Sequence, residues 1–147
     1  MSAPLGAVVA LCLGVTSGLI SAVAFVIGGL WLSPDLDTRS NALRRWGMLR
    51  VLWWPYRRVI PHRSIWSHGP LIGTAGRLLV LAGWLSLLNA LLPATTTLNP
   101  LNILRSLWGT QPHQLAALLI GLETSVWLHL VLDGDPLPKQ WSRRRRR

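Results

Sequence analysis

The sequence predicts an all-α fold: a small helical membrane protein with about three transmembrane helices and an interfacial segment rich in arginine and tryptophan. Half of the 147 residues are hydrophobic, 14% are charged, and the mean hydropathy is +0.38. Soluble domains usually carry about 25% charged residues, and disorder requires low hydrophobicity. The single cysteine, Cys12, excludes a disulfide scaffold. The length predicts one metal-binding domain, residues 1–147, with a basic tail over 139–147.

Three apolar runs are long enough to form the transmembrane helices. They cover residues 3–32, 71–92 and 115–132, and about 20 apolar residues cross the hydrocarbon core of a bilayer as a helix. The first run lacks the basic start of a signal peptide. Arg77 lies near the start of the second run, and it is expected to extend back to the interface.

Residues 35–70 form the predicted interfacial segment between the first two runs. Tryptophan and tyrosine favour the headgroup region of a bilayer, as arginine does on the cytoplasmic side. The aromatic residues of the segment are Trp46, Trp53, Trp54, Tyr56 and Trp66. We therefore expect this part of the chain to lie at the membrane surface.

Positive charge is clustered beside the apolar runs. Fifteen lysines and arginines oppose five acidic residues, which gives a net charge of +10. Basic clusters of this kind mark the cytoplasmic flanks of membrane helices. The 33–70 segment and the tail are therefore expected in the cytoplasm, and the nearly neutral 93–114 loop and the N-terminus outside. The expected partners are anionic lipid headgroups bound by arginine; nucleic acid is disfavoured, and no protein partner is indicated.

The acidic residues are concentrated, although solubility alone would scatter them. Apart from Glu123, they form two Asp-x-Asp pairs. In the predicted topology three polar clusters reach the cytoplasmic face, one beside each span. These clusters are Asp35 with Asp37, His62 with His68, and His129 with Asp133.

The two clusters that flank the interfacial segment each have another explanation. In an extended chain Asp35 and Asp37 point to the same side, where a divalent cation relieves their repulsion. Asp35 is equally suited to cap a following helix. His62 and His68 are six residues apart and do not share a helix face. They either turn inward from a loop or lie at the interface.

The third cluster lies on one helix face, because His129 and Asp133 are four residues apart. The pair either binds one metal jointly, or Asp133 orients the imidazole through its second nitrogen. Hydrogen bonding between helices is the remaining explanation. Glu123 lies inside the same run on a different face, and an ionisable residue there is a functional candidate.

Together the clusters predict a metal site on the cytoplasmic side. Nitrogen and oxygen donors without a nearby cysteine suit a divalent metal, with Zn²⁺ preferred over Mn²⁺ or Fe²⁺ and one or two ions bound. His113 lies in the opposite loop and is expected to take no part. The predicted ligands are Asp35, Asp37, His62, His68, His129 and Asp133.

The order of these residues resembles two related bacterial groups. Pro-Asp-x-Asp, His-Arg-x-x-x-Ser-His and His-x-x-x-Asp, in that order, are similar to inner-membrane-associated metal-dependent hydrolases. Ser-Pro-Asp-Leu-Asp, Arg45-Trp46-Gly47, Trp54-Pro55-Tyr56-Arg57 and Pro-His-Arg-Ser are most similar to a bacterial family of uncharacterised metal-binding membrane proteins. The resemblance covers residues 28–77 well and 129–133 more loosely.

The resemblance implies an all-helical fold distantly related to zinc-dependent phospholipase C and nuclease domains. It implies a multi-pass protein of the bacterial inner membrane that hydrolyses phosphoesters. For such a hydrolase, the chemistry of arginine makes Arg63 the expected clamp for an anionic oxygen. The alternative is a non-catalytic metal-binding or scaffold protein. Family members usually carry a histidine before the first long helix, and this chain has none before His62. A truncated start and a smaller ligand set both explain this. The six-residue histidine spacing also exceeds the five of the hydrolases.

Overall fold

The computed structural model describes residues 1–61, 64–92 and 99–134, and within these ranges it contains helices and no strand. The predicted all-α class is confirmed. Two 3₁₀ helices, Pro34–Asp37 and Gly47–Trp53, lie within the interfacial segment. The α-helices are α1 (Ser2–Leu13), α2 (Val15–Leu30), α3 (Asn41–Arg45), α4 (Trp54–Val59), α5 (Ile65–His68), α6 (Ile72–Leu91), α7 (Pro100–Thr110) and α8 (Pro112–Leu132).

Three helical stretches are long and apolar enough to cross a membrane, as the sequence predicted. They are Val15–Asp37, which joins α2 to the first 3₁₀ helix, Ile72–Leu91 and Pro112–Leu132. Most of their apolar side chains are not covered by other parts of the protein. Leu79 and Leu91 of α6, for example, are 70% and 75% exposed.

The first apolar run is not one helix, because the chain reverses at Gly14. Gly14 has φ +89°, a backbone conformation that side chains other than glycine rarely adopt. α1 folds back along α2, so that Gly6 and Ala10 lie against Gly18. With 12 residues, α1 is about 18 Å long, too short to cross a bilayer core.

This reversal places the N-terminus at the same end of the molecule as the C-terminal end of α8. Met1 and Pro4 line an apolar groove together with Trp127 and Val131. The prediction that the N-terminus lies on the side opposite the polar clusters is therefore wrong. Nothing in the run distinguishes Gly14 from its other glycines, so the reversal was missed.

α2 and α8 pack closely and run in the same direction. Small residues allow the close approach: Gly28 of α2 lies against Ser125, and Gly121 of α8 lies against Ser21 and Ala24. Because the helices are parallel, their C-terminal ends lie side by side. This packing brings the chain after α2 next to the last turn of α8.

The interfacial segment folds around a small core of its own. Its buried residues include Leu36, Leu43, Trp53 and Tyr56, and the rings of Trp53 and Tyr56 pack edge to face with centroids 5.7 Å apart. Trp53 and Tyr56 are both buried, so the expectation that these two residues contact the headgroup region is wrong. Trp54 remains exposed at the surface.

Two indole groups attach this segment to the long helices. Trp46 donates a hydrogen bond from Nε1 to the carbonyl of Trp31, at 2.8 Å. Trp84 of α6 donates to the carbonyl of Leu52, at 2.9 Å. The segment is therefore held against the end of α2 and the side of α6.

Arg77 faces the interior, and the expectation that it extends to the interface is wrong. Its side chain is 1% exposed. It donates hydrogen bonds to the carbonyl of Ser67, at 2.9 Å, and to Oγ1 of Thr74, at 3.2 Å. Partners within the bundle thus bind both terminal nitrogens of the guanidinium, whereas its buried Nε has no hydrogen-bond partner among the described residues. An interior position with partners inside the bundle is usual for a charge in an apolar helix.

The α2–α8 packing predicts the effect of adding one methyl group. In Gly121→Ala the new Cβ would lie 2.8 Å from Cβ of Ala24 and press against the carbonyl of Ser21. Overpacking of this kind costs about 1–3 kcal/mol, so the melting temperature in detergent should fall. Gly83→Ala in α6 is the matched control, because nothing lies within 4 Å of its new Cβ. Equal melting temperatures for the two variants would contradict this packing.

Candidate metal centre

Asp35 and Asp37 lie in a 3₁₀ turn that begins at its N-cap Ser33 and is followed by Ser40, the N-cap of α3. Ser33 Oγ accepts a hydrogen bond from the Asp35 amide, at 3.4 Å. Ser40 Oγ donates to the Asp35 carbonyl, at 2.8 Å, and accepts from the Leu43 amide that begins α3. The alternative that Asp35 caps a helix is therefore wrong. The backbone is also not extended, so the two carboxylates do not point to one side.

His68 is the last residue of the short helix α5 and is almost completely buried. Ser64 and Ser67 form a capping box at the start of this helix, with the Ser64 amide donating to Oγ of Ser67, at 3.2 Å. The amide of His68 closes the turn by donating to the Ser64 carbonyl, at 2.8 Å. This tight turn fixes where the imidazole begins.

Three side chains from distant parts of the chain meet at one point. Asp35, His68 and His129 each offer a ligand atom, and these atoms lie within 4.8 Å of one another. Asp35 Oδ1 is 3.6 Å from Nε2 of His68, and Asp35 Oδ2 is 3.5 Å from Nε2 of His129. We call these three residues the Asp-His-His triad.

The two aspartate–histidine separations are close to those between ligands of one metal ion. Two donors that bind a zinc ion at about 2.1 Å in a tetrahedral arrangement lie about 3.4 Å apart. Nε2 of His129 is buried, and no hydrogen bond within the described part of the chain satisfies it. A buried imidazole nitrogen beside carboxylate oxygens is what such a site requires. The residues present therefore fit a divalent metal.

Asp37 lies on the opposite side of the His68 ring from Asp35. Its Oδ2 is 3.7 Å from Nδ1 of His68, and its side chain is fully buried. Oγ of Ser67 lies 2.9 Å from the same Nδ1. Histidines that bind metals usually have their other nitrogen held by such a partner. Asp37 and Ser67 are thus placed to orient His68, whereas Asp35 lies on the metal side.

Asp133 approaches the nitrogen of His129 that also faces Asp35. Its Oδ2 is 3.4 Å from Nε2 of His129, and its side chain is 36% exposed. It does not contact the second nitrogen of the ring, so the orienting role considered from the sequence is not the geometry observed. Asp133 instead borders the triad on its solvent side.

Glu123 does not join the triad. Its carboxylate accepts hydrogen bonds from the Leu71 amide, at 2.7 Å, and from Oγ1 of Thr74, at 2.8 Å, and so binds the start of α6. Carboxylates are stabilised at helix N-termini by the exposed amides and the helix dipole. Hydrogen bonding between helices, one of the alternatives from the sequence, is therefore what the structure supports for Glu123.

The remaining predicted residues lie elsewhere. His62 and Arg63 are outside the described residues, so the second histidine ligand and the anion clamp stay predictions. His113 lies in the first turn of α8, 16 residues before His129, or about 24 Å along the helix. Ser67 was missed by the sequence analysis. The Ser64-x-x-Ser67 spacing signals a helix start, but not contact with a histidine.

An aspartate and two histidines that converge in a helical chain define the class: a candidate divalent-metal protein. The chain belongs to the family of uncharacterised metal-binding proteins designated DUF2227, whose profile matches residues 1–145. The predicted resemblance to a metal-binding family is confirmed. An uncharacterised protein from Aquifex aeolicus (strain VF5) is 38% identical over 60 residues, which make up 40% of this chain and 42% of that relative. No solved structure matches the chain.

Because Asp35 and Asp37 lie on opposite sides of the His68 ring, we expect their substitution to affect metal binding differently. Asp35→Asn should abolish binding of Zn²⁺, because Asp35 contacts both histidines of the triad. Asp37→Asn should weaken binding by about 10- to 100-fold, as loss of an orienting partner usually does. Calorimetric titration and elemental analysis of the purified variants measure this, with His113→Ala as the control that keeps full affinity. Equal loss in both aspartate variants would mean that Asp37 is itself a ligand.

Proposed function

We propose that the protein is a membrane-embedded, metal-dependent hydrolase that cleaves phosphoester bonds at the cytoplasmic face, with Zn²⁺ as the preferred metal. The observation that carries this proposal is the make-up of the triad. Catalytic zinc sites have three protein ligands and keep one position for water, whereas structural sites are closed by four. Asp35, His68 and His129 supply three donors, and Asp35 is 34% exposed on the solvent side.

The protein residues around the triad suit this chemistry. Ser67 and Asp37 contact Nδ1 of His68, and this keeps the opposite nitrogen, Nε2, directed toward Asp35. A divalent metal held here would polarise a phosphoryl oxygen and lower the pKa of a bound water. Asp133 lies on the solvent side, where its carboxylate can accept a hydrogen bond from water. Arg63 remains the predicted clamp for the substrate's anionic oxygen.

The surfaces of the long helices support the membrane location. Large apolar side chains remain exposed along α2, α6 and α8, for instance Leu19, Leu79 and Leu119. Such surfaces are stable in hydrocarbon and costly in water. The arginines of the interfacial segment follow directly after Asp37. The positive-inside rule then supports the cytoplasm as the side that carries the triad.

Hydrolysis is tested with the purified full-length protein in detergent and aryl phosphodiester and phosphomonoester substrates. We expect turnover that requires Zn²⁺ or Mn²⁺, disappears with a chelator and returns when metal is added back. His129→Ala should lower kcat/KM at least 100-fold, whereas His113→Ala should retain it. A protein that binds metal stoichiometrically through the triad but turns over none of these substrates would be the non-catalytic metal-binding protein of the alternative hypothesis.

Topology is tested separately by cysteine labelling of intact cells in a Cys12→Ser background. Met48→Cys lies in the arginine-rich segment and is almost fully exposed in the protein. It should resist a membrane-impermeant reagent until the cells are opened. Ser106→Cys in α7 lies in the nearly neutral segment and should be labelled from outside. The reverse pattern would place the triad on the external side.

A further inference from the structure

Four arginines converge on a cavity that the proposed hydrolysis does not use. The cavity has a volume of about 500 Å³, within the usual range of small-molecule sites. We call it the arginine pocket. It is formed by the turn after Asp37 together with α3, the second 3₁₀ helix and α4. Its lining residues are Arg39, Leu43, Arg44, Arg50 and Arg57.

The positive charge of the arginine pocket is not neutralised within the described part of the chain. The ion pairs there join His68 and His129 to aspartates, and Glu123 binds the start of α6. None of these pairs involves a pocket arginine. Nε of Arg57 is also buried and has no hydrogen-bond partner among the described residues. Four guanidinium groups around one cavity repel one another unless an anion lies between them.

The surface beside the pocket indicates where that anion comes from. Met48, Leu49, Val51 and Trp54 are 57–93% exposed, and they flank Arg50 along the second 3₁₀ helix and the start of α4. Arg58 lies over the ring of Trp54, 5.8 Å from its centroid. Exposed apolar side chains mixed with arginine suit the boundary between headgroups and acyl chains.

We propose that the arginine pocket binds the phosphate of an anionic phospholipid headgroup. Arginine binds phosphate oxygens through paired N–H donors, which favours it over a simple point charge for such a site. The cavity is larger than one phosphate and leaves space for the polar part of the headgroup. The exposed apolar side chains would contact the acyl region of the same lipid. This site is distinct from the triad and does not depend on the proposed hydrolysis.

The test uses purified full-length protein in detergent and short-chain lipids. Dihexanoylphosphatidylglycerol should bind saturably, and dihexanoylphosphatidylcholine at least tenfold more weakly. In Arg44→Gln/Arg50→Gln the affinity for the anionic lipid should fall about 25-fold, because each arginine near anionic lipid contributes about fivefold. The control Arg45→Gln/Arg105→Gln removes the same charge from exposed positions that do not line the pocket, and its affinity should change less than threefold. Metal content and melting temperature should be unchanged in both variants.

Three outcomes would overturn the proposal. Equal losses in the two double variants would show diffuse charge attraction without a pocket. Equal binding of the anionic and zwitterionic lipids would remove the role of the arginines. Pyrophosphate that binds with higher affinity than the lipid and is not displaced by it would assign the pocket to a soluble phosphate compound. Because binding is measured without turnover, an inactive protein would not affect the result.

Discussion

The close parallel packing of α2 against α8 is the contact on which the rest of the structure depends. Gly28 and Gly121 each leave space for a side chain or carbonyl of the other helix. The two C-terminal ends therefore lie side by side. Asp35 follows the end of α2, and His129 lies near the end of α8. The packing of the two helices therefore determines the distance of 3.5 Å between Asp35 Oδ2 and His129 Nε2. A wider spacing of these helices would separate the triad although every ligand remained in the sequence.

His68, the third member of the triad, is held in place by a series of polar contacts that links α8, α6 and α5. Glu123 on α8 accepts from Thr74, and Thr74 in turn accepts from Arg77. Arg77 binds the carbonyl of Ser67, whose hydroxyl lies beside the His68 ring. Glu123 and Arg77, two charged residues within apolar helices, are thus linked through the hydroxyl of Thr74.

Much of this arrangement was predictable, and the exceptions have physical causes. The apolar runs are local patterns, so the long helices could be predicted from them. The topology that these helices imply brought Asp35, His68 and His129 to one face. The position of Asp37 beside Nδ1 of His68 depends on a 3₁₀ turn, and the Ser33 cap favours this turn over an extended chain. The burial of Trp53 and Arg77 depends on tertiary partners, and composition alone placed both at the interface.

The reversal at Gly14 also changes how the N-terminal helices would enter a bilayer. The amide of Gly14 donates to Ala10, at 3.0 Å, and its carbonyl accepts from Gly18, at 3.1 Å, so the bend leaves neither of these groups unpaired in hydrocarbon. Residues 3–32 carry no charge. α1 and α2 therefore form one uncharged hairpin, with the bend at Gly14 at one end and the start of α1 and the end of α2 toward the other. In a bilayer, this hairpin would present only uncharged side chains to the hydrocarbon.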